Sequence, residues 1–197
     1  MYSPRIVQKH RAPPLPPSDL PLDRPIVLVG MMGVGKSTIG KRLARRLNLD
    51  FIDSDEAIET AAGAPAGEVF ERYGEASFRD GERRLVARLI EGAVRVIATG
   101  GGAFVEPRTR LLLNARAITV WLNAPIDILV QRTARRDTRP LLKGPDATTI
   151  LARLSAERDA LYAEAHIHVT SSDGAHEDVV EQIVVAVQRH LGERNTP

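Results

Sequence analysis

Cysteine is absent from the 197 residues of this chain, and other absences narrow the range of functions further. Without a thiol the chain forms no disulfide, offers no thiolate to zinc and has no cysteine nucleophile. A domain of this size that needs no disulfide is typical of the cytoplasm, which is the location we expect. The sequence also contains no run of 18 apolar residues, so it predicts no membrane-spanning helix.

An excess of positive charge is absent from most of the chain. The sequence has 27 Lys and Arg residues against 25 Asp and Glu residues. Residues 1–24 contain four of the basic residues and two of the acidic ones, which leaves 23 of each in residues 25–197. Proteins that bind nucleic acids usually present a basic face. We therefore expect neither a nucleic acid nor a membrane as partner.

The first 24 residues are predicted to form a tail outside the folded domain. Seven of the 13 prolines lie at or before Pro25, and residues 13–17 read Pro-Pro-Leu-Pro-Pro. Such a run adopts an extended or polyproline conformation. We interpret residues 1–24 as a disordered extension, with a docking segment as the alternative, and residues 25–197 as one domain.

After the tail, short apolar runs alternate with longer stretches of helical period. Strands are predicted at residues 26–29, 50–53, 95–99, 118–122 and 167–170. Helices are predicted at residues 38–47, 55–62, 67–90 with a break near Gly74, 107–114, 126–134, 150–163 and 176–191. This alternation predicts a five-stranded parallel sheet with helices on both faces. The polar, arginine-rich residues 135–145 are predicted to form a loop.

Residues 30–37, which read Gly-Met-Met-Gly-Val-Gly-Lys-Ser, match the phosphate-binding pattern GxxxxGK[ST]. A predicted buried strand precedes them and a predicted helix follows. Backbone N–H groups and the helix N-terminus would bind phosphates, Lys36 would neutralise their charge, and Ser37 would ligate Mg²⁺. The sequence therefore predicts binding of a nucleoside triphosphate, with a plain glycine-rich turn as the alternative. No Asn-Lys dipeptide is present to read guanine, which argues against a GTPase.

Two carboxylates, Asp53 and Asp55, lie at the end of the second predicted strand. Residues i and i+2 of a strand point to the same side, so we expect both to face the carboxyl edge of the sheet. One would hold Mg²⁺ through water, and the other would accept the proton of a substrate hydroxyl. The alternative is that Asp55 only caps the next helix.

Arg79 and a run of three glycines are candidates for the binding of a second ligand. Aromatic residues flank Arg79, which favours bidentate capture of a carboxylate. The alternative is a surface arginine paired with Glu75 or Glu82 at helical spacing. Gly100–Gly102, called the glycine run below, follow the third predicted strand and allow a ligand to approach the backbone closely. Alternatively they form only a flexible turn.

Further arginines lie in and near the predicted loop. Arg132, Arg135, Arg136 and Arg139 would place positive charge over bound phosphates, or would be solvated surface residues. Arg158 lies on the predicted helix that follows, and the alternative for it is again a surface arginine paired at helical spacing.

In chain order, the motifs GxxGxGKS, DSD, FxxxGExxFRxxE, GGG, RPLL and RxxxYxEhA resemble those of shikimate kinase, over about residues 25–190. The resemblance implies an α/β fold, a three-layer α/β/α kinase with a five-stranded parallel sheet in the order 2-3-1-4-5 and a mobile lid loop. It implies ATP as co-substrate, Mg²⁺, and phosphorylation of the 3-hydroxyl of shikimate on the route to chorismate and aromatic amino acids. We expect a monomer.

The resemblance also implies a role for each matching residue. Those assigned to ATP are Gly33, Val34, Gly35, Lys36, Ser37, Thr38, Arg132 beside adenine and Arg139 at the transferring phosphate. Those assigned to Mg²⁺ are Ser37 and Asp53. Those assigned to shikimate are Asp55 at the reacting hydroxyl, Arg79 and Arg158 at the carboxylate, and Gly101 and Gly102 through their backbone. The residues assigned to catalysis are Lys36, Asp55 and Arg139, and Glu82 is assigned to ordering the pocket.

One residue departs from this pattern, and two other functions stay open. Gly81 lies inside a predicted helix, where it costs about 1 kcal/mol relative to alanine and could loosen the aim of Arg79. Gluconate kinase also phosphorylates a hydroxy acid, but it lacks the combination of DSD, FR and RPLL motifs. A regulator that binds ATP without catalysis is the other alternative, although the presence of Lys36, Asp55 and Arg139 argues against it.

Overall fold

The computed structural model of this chain describes residues 20–134, 147–171 and 174–194. These residues form five strands and seven helices. In chain order they are β1 (Ile26–Val29), α1 (Lys36–Leu47), β2 (Asp50–Asp53), α2 (Ser54–Ala62), α3 (Ala66–Ile90), β3 (Arg95–Ala98), α4 (Pro107–Arg116), β4 (Ile118–Asn123), α5 (Ile126–Ala134), α6 (Ala147–Tyr162), β5 (Ile167–Thr170) and α7 (His176–Arg194).

The five strands form one parallel sheet in the order β2-β3-β1-β4-β5, which confirms the predicted sheet and its order. β1 lies at the centre, where Leu28 is opposite Ala98 of β3 and Val120 of β4. All four residues of β1 are 0% exposed. A continuous apolar run suits this position because layers cover both faces of the strand.

The helices lie on both faces of the sheet. The chain passes through α1 in one direction along the sheet, from β1 to β2, and through α4 in the opposite direction, from β3 to β4. Because crossovers between parallel strands are right-handed, α1 and α4 lie on opposite faces. α7 packs against α1, α3 against α4, and α5 against α6. The predicted three-layer architecture is therefore confirmed.

The bounds of all twelve elements agree with the predictions to within three residues at each end. β1, β2, β5 and α5 have the predicted bounds. α1 begins two residues earlier than predicted, because Gly35 has a φ of 101° and the helix starts directly after it. α3 carries a non-helical residue at Gly74, with φ 77° and ψ 165°, which confirms the predicted break.

The last residues of the predicted tail pack on the domain. Leu20 and Leu22 are partly buried against the hydrophobic core, and the Leu22 N–H donates to the Leu20 carbonyl oxygen at 2.7 Å. This bond closes a γ-turn at Pro21, and both leucine side chains contact the core. Residues 20–24, which the prediction assigns to the tail, therefore include two leucines in contact with the core. Residues 1–19 and the predicted loop 135–145 lie outside the described residues.

Three connections meet at the carboxyl edge of the sheet, after β1, β2 and β3. In a parallel α/β sheet this edge is where ligands bind. Within the described ranges, no helix is both long enough and apolar enough to cross a membrane.

Candidate active site

The phosphate-binding loop, residues 30–37, curls around its own lysine. Lys36 is 8% exposed, and its Nζ donates to the carbonyl oxygens of Gly30 at 2.8 Å and Met31 at 2.9 Å. The first N–H groups of α1 have no partner within the helix and point towards this loop. The first turn of α1 contains no acidic residue to offset its positive end. The loop thus directs a lysine and backbone donors at one place, which is how a phosphate is bound.

Ser37 and Asp53 form a pair of oxygen ligands beside this loop. Ser37 Oγ, in α1, donates to Asp53 Oδ2, at the end of β2, at 2.6 Å. A hydroxyl and a carboxylate suit Mg²⁺ when phosphate oxygens and water complete its coordination. In the part of the chain that the structure describes, no group of three or more acidic or histidine side chains could hold a metal. The residues therefore fit a magnesium ion that binds together with a nucleotide.

Asp53 also caps α2, and this corrects two expectations. Its Oδ1 accepts the N–H of Asp55 at 3.0 Å. The alternative in which Asp55 caps this helix is therefore wrong, because Asp53 does so. The expectation that both carboxylates lie on one strand is also wrong, since β2 ends at Asp53 and Asp55 lies in the first turn of α2.

Asp55 nevertheless reaches the carboxyl edge of the sheet. A Cβ atom placed on Gly100 would lie 2.5 Å from Asp55 Oδ1 and 3.2 Å from Glu82 Oε1. A side chain at Gly100 would therefore displace the Asp55 carboxylate from its place at the end of β3.

Ser54 is a residue of this site that the sequence analysis did not single out. It is 0% exposed, and its Oγ accepts the Gly100 N–H at 3.1 Å. The bond ties the start of α2 to the glycine run. The available signal was a small polar residue between two acids at the junction of a strand and a helix, where a hydroxyl can bond a neighbouring backbone.

Arg79, in α3, has both of the ion-pair partners that helical spacing allows. Its Nη1 lies 2.7 Å from Glu82 Oε2, and its Nε lies 3.8 Å from Glu75 Oε1. Its guanidinium carbon lies 5.4 Å from the centre of the Phe78 ring. A Cβ on Gly102 would come within 2.5 to 2.8 Å of the guanidinium. Arg79 therefore forms the ion pairs expected from helical spacing and also lies against the glycine run.

Glu82 is a buried carboxylate that directs Arg79. It is 2% exposed, and burial raises the pKa of its carboxyl group, while the charge and hydrogen bond of Arg79 lower it. The charge of Asp55 adds to the upward shift of the pKa. Because the carboxylate has Arg79 as its counter-ion and is held in place by burial, it fixes the direction of the guanidinium.

The glycine run is a wall that the phosphate-binding loop and Arg79 share. A Cβ on Gly101 would lie 3.4 Å from the backbone nitrogen of Met32, whereas Gly102 abuts Arg79. The residues predicted for the nucleotide and those predicted for the second substrate thus lie on two sides of one short segment.

Arg158 and Tyr162 lie one turn apart in α6, on the far side of this wall. Tyr162 is 0% exposed, and its hydroxyl donates to the Gly101 carbonyl oxygen. Burial raises the pKa of Tyr162 to about 12, and the charge and hydrogen bond of Arg158, followed by the charge of Arg79, oppose that rise. The charges of both arginines act on this hydroxyl, so both arginines lie near it. We call Arg79 and Arg158 the arginine pair.

Arg132, in α5, connects the phosphate-binding loop to the end of β5. Its Nη1 donates to the Val34 carbonyl oxygen at 3.2 Å and to Ser171 Oγ at 3.1 Å. His176 lies near Arg132. Burial is the largest cause that lowers the pKa of His176, and the charges of Arg42 and Arg132 lower it further. Ser171 was missed because nothing in its local sequence distinguishes it from an ordinary strand end.

The remaining predicted site residues are Thr38 and Arg139. Thr38 lies next to Ser37 in the first turn of α1 and is partly buried. Arg139, together with the predicted lid, lies outside the described residues.

Known proteins resemble this chain over most of its length. The sequence model of the shikimate kinase family matches residues 32–188. The shikimate kinase of Rhodopseudomonas palustris is 51% identical over 169 residues, which cover 86% of this chain and 83% of that protein. Among solved structures, a shikimate kinase from Acinetobacter baumannii in complex with shikimate has a TM-score of 0.81 and 37% identity, covering 88% of this chain and 96% of that one.

A gluconokinase from Sinorhizobium meliloti also shares the fold. Its TM-score is 0.59 at 16% identity, covering 87% of this chain and 97% of that one. At this identity the likeness extends to the fold alone.

Proposed function

The chain belongs to the shikimate kinase family, and on that premise we propose how its residues divide the reaction between them. The enzyme transfers the γ-phosphoryl group of ATP to the 3-hydroxyl of shikimate, on the route to chorismate and aromatic amino acids. The observation that best supports this division of roles is the position of the glycine run between the phosphate-binding loop and Arg79. Gly101 abuts Met32 of the phosphate-binding loop, and Gly102 abuts Arg79.

The nucleotide lies along the phosphate-binding loop. Lys36 and the backbone N–H groups of residues 33–38 bind its phosphates, and Arg132 lies beside the adenine. The bond of Arg132 to the Val34 carbonyl supports this place for the base, because it holds the arginine against the loop. Ser37 and Asp53 would hold Mg²⁺, which would neutralise phosphate charge when bound.

Shikimate lies on the other side of the wall, which we call the acceptor site. The arginine pair, Arg79 and Arg158, binds its carboxylate, and the backbones of Gly101 and Gly102 line its ring. Glu82 is a positioning residue, because its ion pair at 2.7 Å aims Arg79. A bidentate contact of this kind combines charge with fixed geometry, so it selects an anionic substrate.

Asp55 is the catalytic base. It accepts the proton of the 3-hydroxyl while that oxygen attacks the γ-phosphorus in line. The new bond joins the hydroxyl oxygen to the γ-phosphorus, and the bond from the γ-phosphorus to the bridging oxygen breaks, so ADP leaves. Lys36 stabilises the charge that develops on the phosphoryl oxygens. On the sequence evidence, Arg139 adds a second cation there.

A coupled assay of ADP release tests this function against its rivals. We expect rapid turnover with ATP and shikimate and only background turnover with ATP and gluconate. Turnover with gluconate alone would identify a gluconate kinase instead. Binding of ATP without turnover of either acid would indicate a regulator.

We further propose that the enzyme is a cytoplasmic monomer without nucleic-acid or membrane partners, and that residues 1–19 take no part in catalysis. The balanced charge of residues 25–197 supports the absence of a nucleic-acid partner, and the lack of cysteine supports the cytoplasmic location. The family model matches from residue 32 onwards, which supports a catalytic domain without residues 1–19. Sedimentation of the full chain at micromolar concentration measures the oligomeric state directly.

A further inference from the structure

The glycine run can line a binding site in one fixed conformation only if other groups hold its backbone in place. Glycine has more conformational freedom than any other residue, so an unsupported run would sample many backbone conformations. Here two hydroxyl groups, each on a residue that is 0% exposed, hold the run from opposite sides. Ser54 accepts the N–H of Gly100 at 3.1 Å, and Tyr162 donates to the carbonyl oxygen of Gly101.

We propose that Tyr162 is a positioning residue that prepares the acceptor site, fixing the Gly101 carbonyl and the Arg158 guanidinium together, while Ser54 fixes the other end of the run. This inference rests on the proposed function, because it takes the arginine pair as the carboxylate site. Tyr162 touches no substrate in this assignment and acts through Arg158 and the backbone.

The surroundings of Tyr162 suit a fixed donor. Its ring stacks against Phe104, with centroids 6.4 Å apart, and against Trp121, with centroids 6.1 Å apart. These contacts leave the hydroxyl little freedom to move. Since burial raises its pKa to about 12, the hydroxyl keeps its proton at neutral pH and continues to donate to Gly101.

The nucleotide side has its own supports. Lys36 is bonded to the carbonyls of Gly30 and Met31, and Arg132 is bonded to that of Val34. None of these bonds involves Tyr162. Loss of the tyrosine hydroxyl should therefore weaken shikimate binding and leave ATP binding unchanged.

Tyr162→Phe tests the inference, because it removes the hydroxyl and keeps the stacked ring. A hydrogen bond of this kind changes a binding constant by about 3- to 10-fold. We expect the KM for shikimate to rise by that factor, with the KM for ATP and kcat within about 2-fold of the wild type. Tyr73→Phe is the matched control, since Tyr73 is 59% exposed and its variant should behave as wild type.

A double variant separates positioning from a general structural role. Because Tyr162 acts partly through Arg158 and partly through the Gly101 backbone, adding Tyr162→Phe to Arg158→Ala should raise the KM for shikimate by less than the product of the two separate effects. Independent multiplication of the two effects would overturn the inference, as would an equal rise in the KM for ATP.

Ser54→Ala provides a second test should Tyr162→Phe fail to fold. It removes the bond to Gly100, so we again expect the KM for shikimate to rise several-fold and the KM for ATP to stay unchanged. Wild-type kinetics in a folded Ser54→Ala or Tyr162→Phe protein would overturn the inference and leave the proposed function intact. A wild-type enzyme without shikimate turnover would overturn the proposed function itself.

Discussion

The two halves of the candidate site are built in different ways. The phosphate-binding loop consists of eight consecutive residues, 30–37, whose groups bond mainly to one another. The acceptor site takes residues from the start of α2, the middle of α3, the glycine run and the end of α6. Buried side chains such as Ser54 and Tyr162 bond two of these segments to the glycine run.

This difference determines whether a substitution in one half of the site should disturb only that half or the other half as well. Because the groups of the phosphate-binding loop bond mainly to one another, a substitution within the loop should disturb the whole loop. In the acceptor site a single side chain can be lost while the remaining segments stay in place, because each has its own support. Variants of the acceptor site should therefore change the KM for shikimate or kcat and leave the KM for ATP unchanged, and a variant that raises the KM of both substrates equally would break the comparison.

The largest effect is expected for Asp55→Asn. Asparagine keeps the shape of the side chain but cannot accept the proton, so kcat should fall by about 10²- to 10⁴-fold. The fall should persist at every Mg²⁺ concentration. Turnover measured across a Mg²⁺ titration checks this, and recovery at high Mg²⁺ would show that Asp55 serves the metal instead.

Asp53→Asn is the matched control in the same titration. Its defect should be one of metal binding, so raising Mg²⁺ should restore much of the rate. Asparagine is also a good helix cap, so the variant should melt close to the wild type although Asp53 caps α2. Asp53→Ala, by contrast, should lose about 1 kcal/mol of stability together with the cap.

The next largest effect is expected for Arg79→Ala. Loss of a charged bidentate contact of about 1.5–3 kcal/mol should raise the KM for shikimate by about 10- to 150-fold and leave the KM for ATP unchanged. Arg83→Ala is the matched control, because Arg83 pairs with Asp80 at 2.7 Å on the same helix and has no place in the site. Steady-state kinetics with each substrate varied in turn would measure both.

The fold was predictable because its signals are local. The buried run of β1, the bounds of β2 and the break at Gly74 each follow from a few neighbouring residues. The tail boundary was not predictable in the same way. Leu20 and Leu22 stand among prolines, and only the core they contact reveals their role.

The site shows the same division between local and distant information. The phosphate-binding loop was recognisable from its spacing alone, and the ion pair of Arg79 with Glu82 follows from helical periodicity. Ser54 and Tyr162 were not assigned roles, because their partners Gly100 and Gly101 lie 46 and 61 residues away in the chain. The strand geometry assumed for Asp55 was wrong, since the capping bond of Asp53 starts the helix before Asp55 is reached.

A smaller effect, one of pH, is expected from Glu82. Burial raises the pKa of this carboxyl above its usual 4.5 in the folded chain. Below pH 4.5 the group is protonated in both the folded and unfolded states, and its contribution to stability is most favourable. That contribution is lost as the pH rises from 4.5 through the raised pKa, because the folded state must then bury a charge.

Glu82→Gln removes this titration, so the variant should gain melting temperature relative to the wild type as the pH rises through the same window. It should also lose the counter-ion that aims Arg79, so the KM for shikimate should rise several-fold at neutral pH. Melting curves from pH 4 to 7 check the first effect. A constant difference across that range would mean that Glu82 does not titrate there.

The smallest effect is expected for Gly81→Ala. Gly81 lies between Arg79 and Glu82 in α3. A Cβ at this position meets no atom within 4 Å, and the residue lies inside the helix. Gly81→Ala should therefore stabilise the fold by about 0.4–1 kcal/mol, since alanine restricts the unfolded chain more than glycine does. For a domain of this size that corresponds to a rise of about 1–4 °C in melting temperature.

The kinetics of Gly81→Ala separate stability from aim. Arg79 is directed by its ion pair with Glu82, which spans one helical turn and does not involve the side chain at Gly81. The KM for shikimate should therefore stay within about 2-fold of the wild type while the melting temperature rises. If the KM falls clearly as the helix stiffens, then backbone freedom at Gly81 limits the aim of Arg79. The acceptor site would in that case depend on its backbone as well as on its buried side chains, as the phosphate-binding loop does.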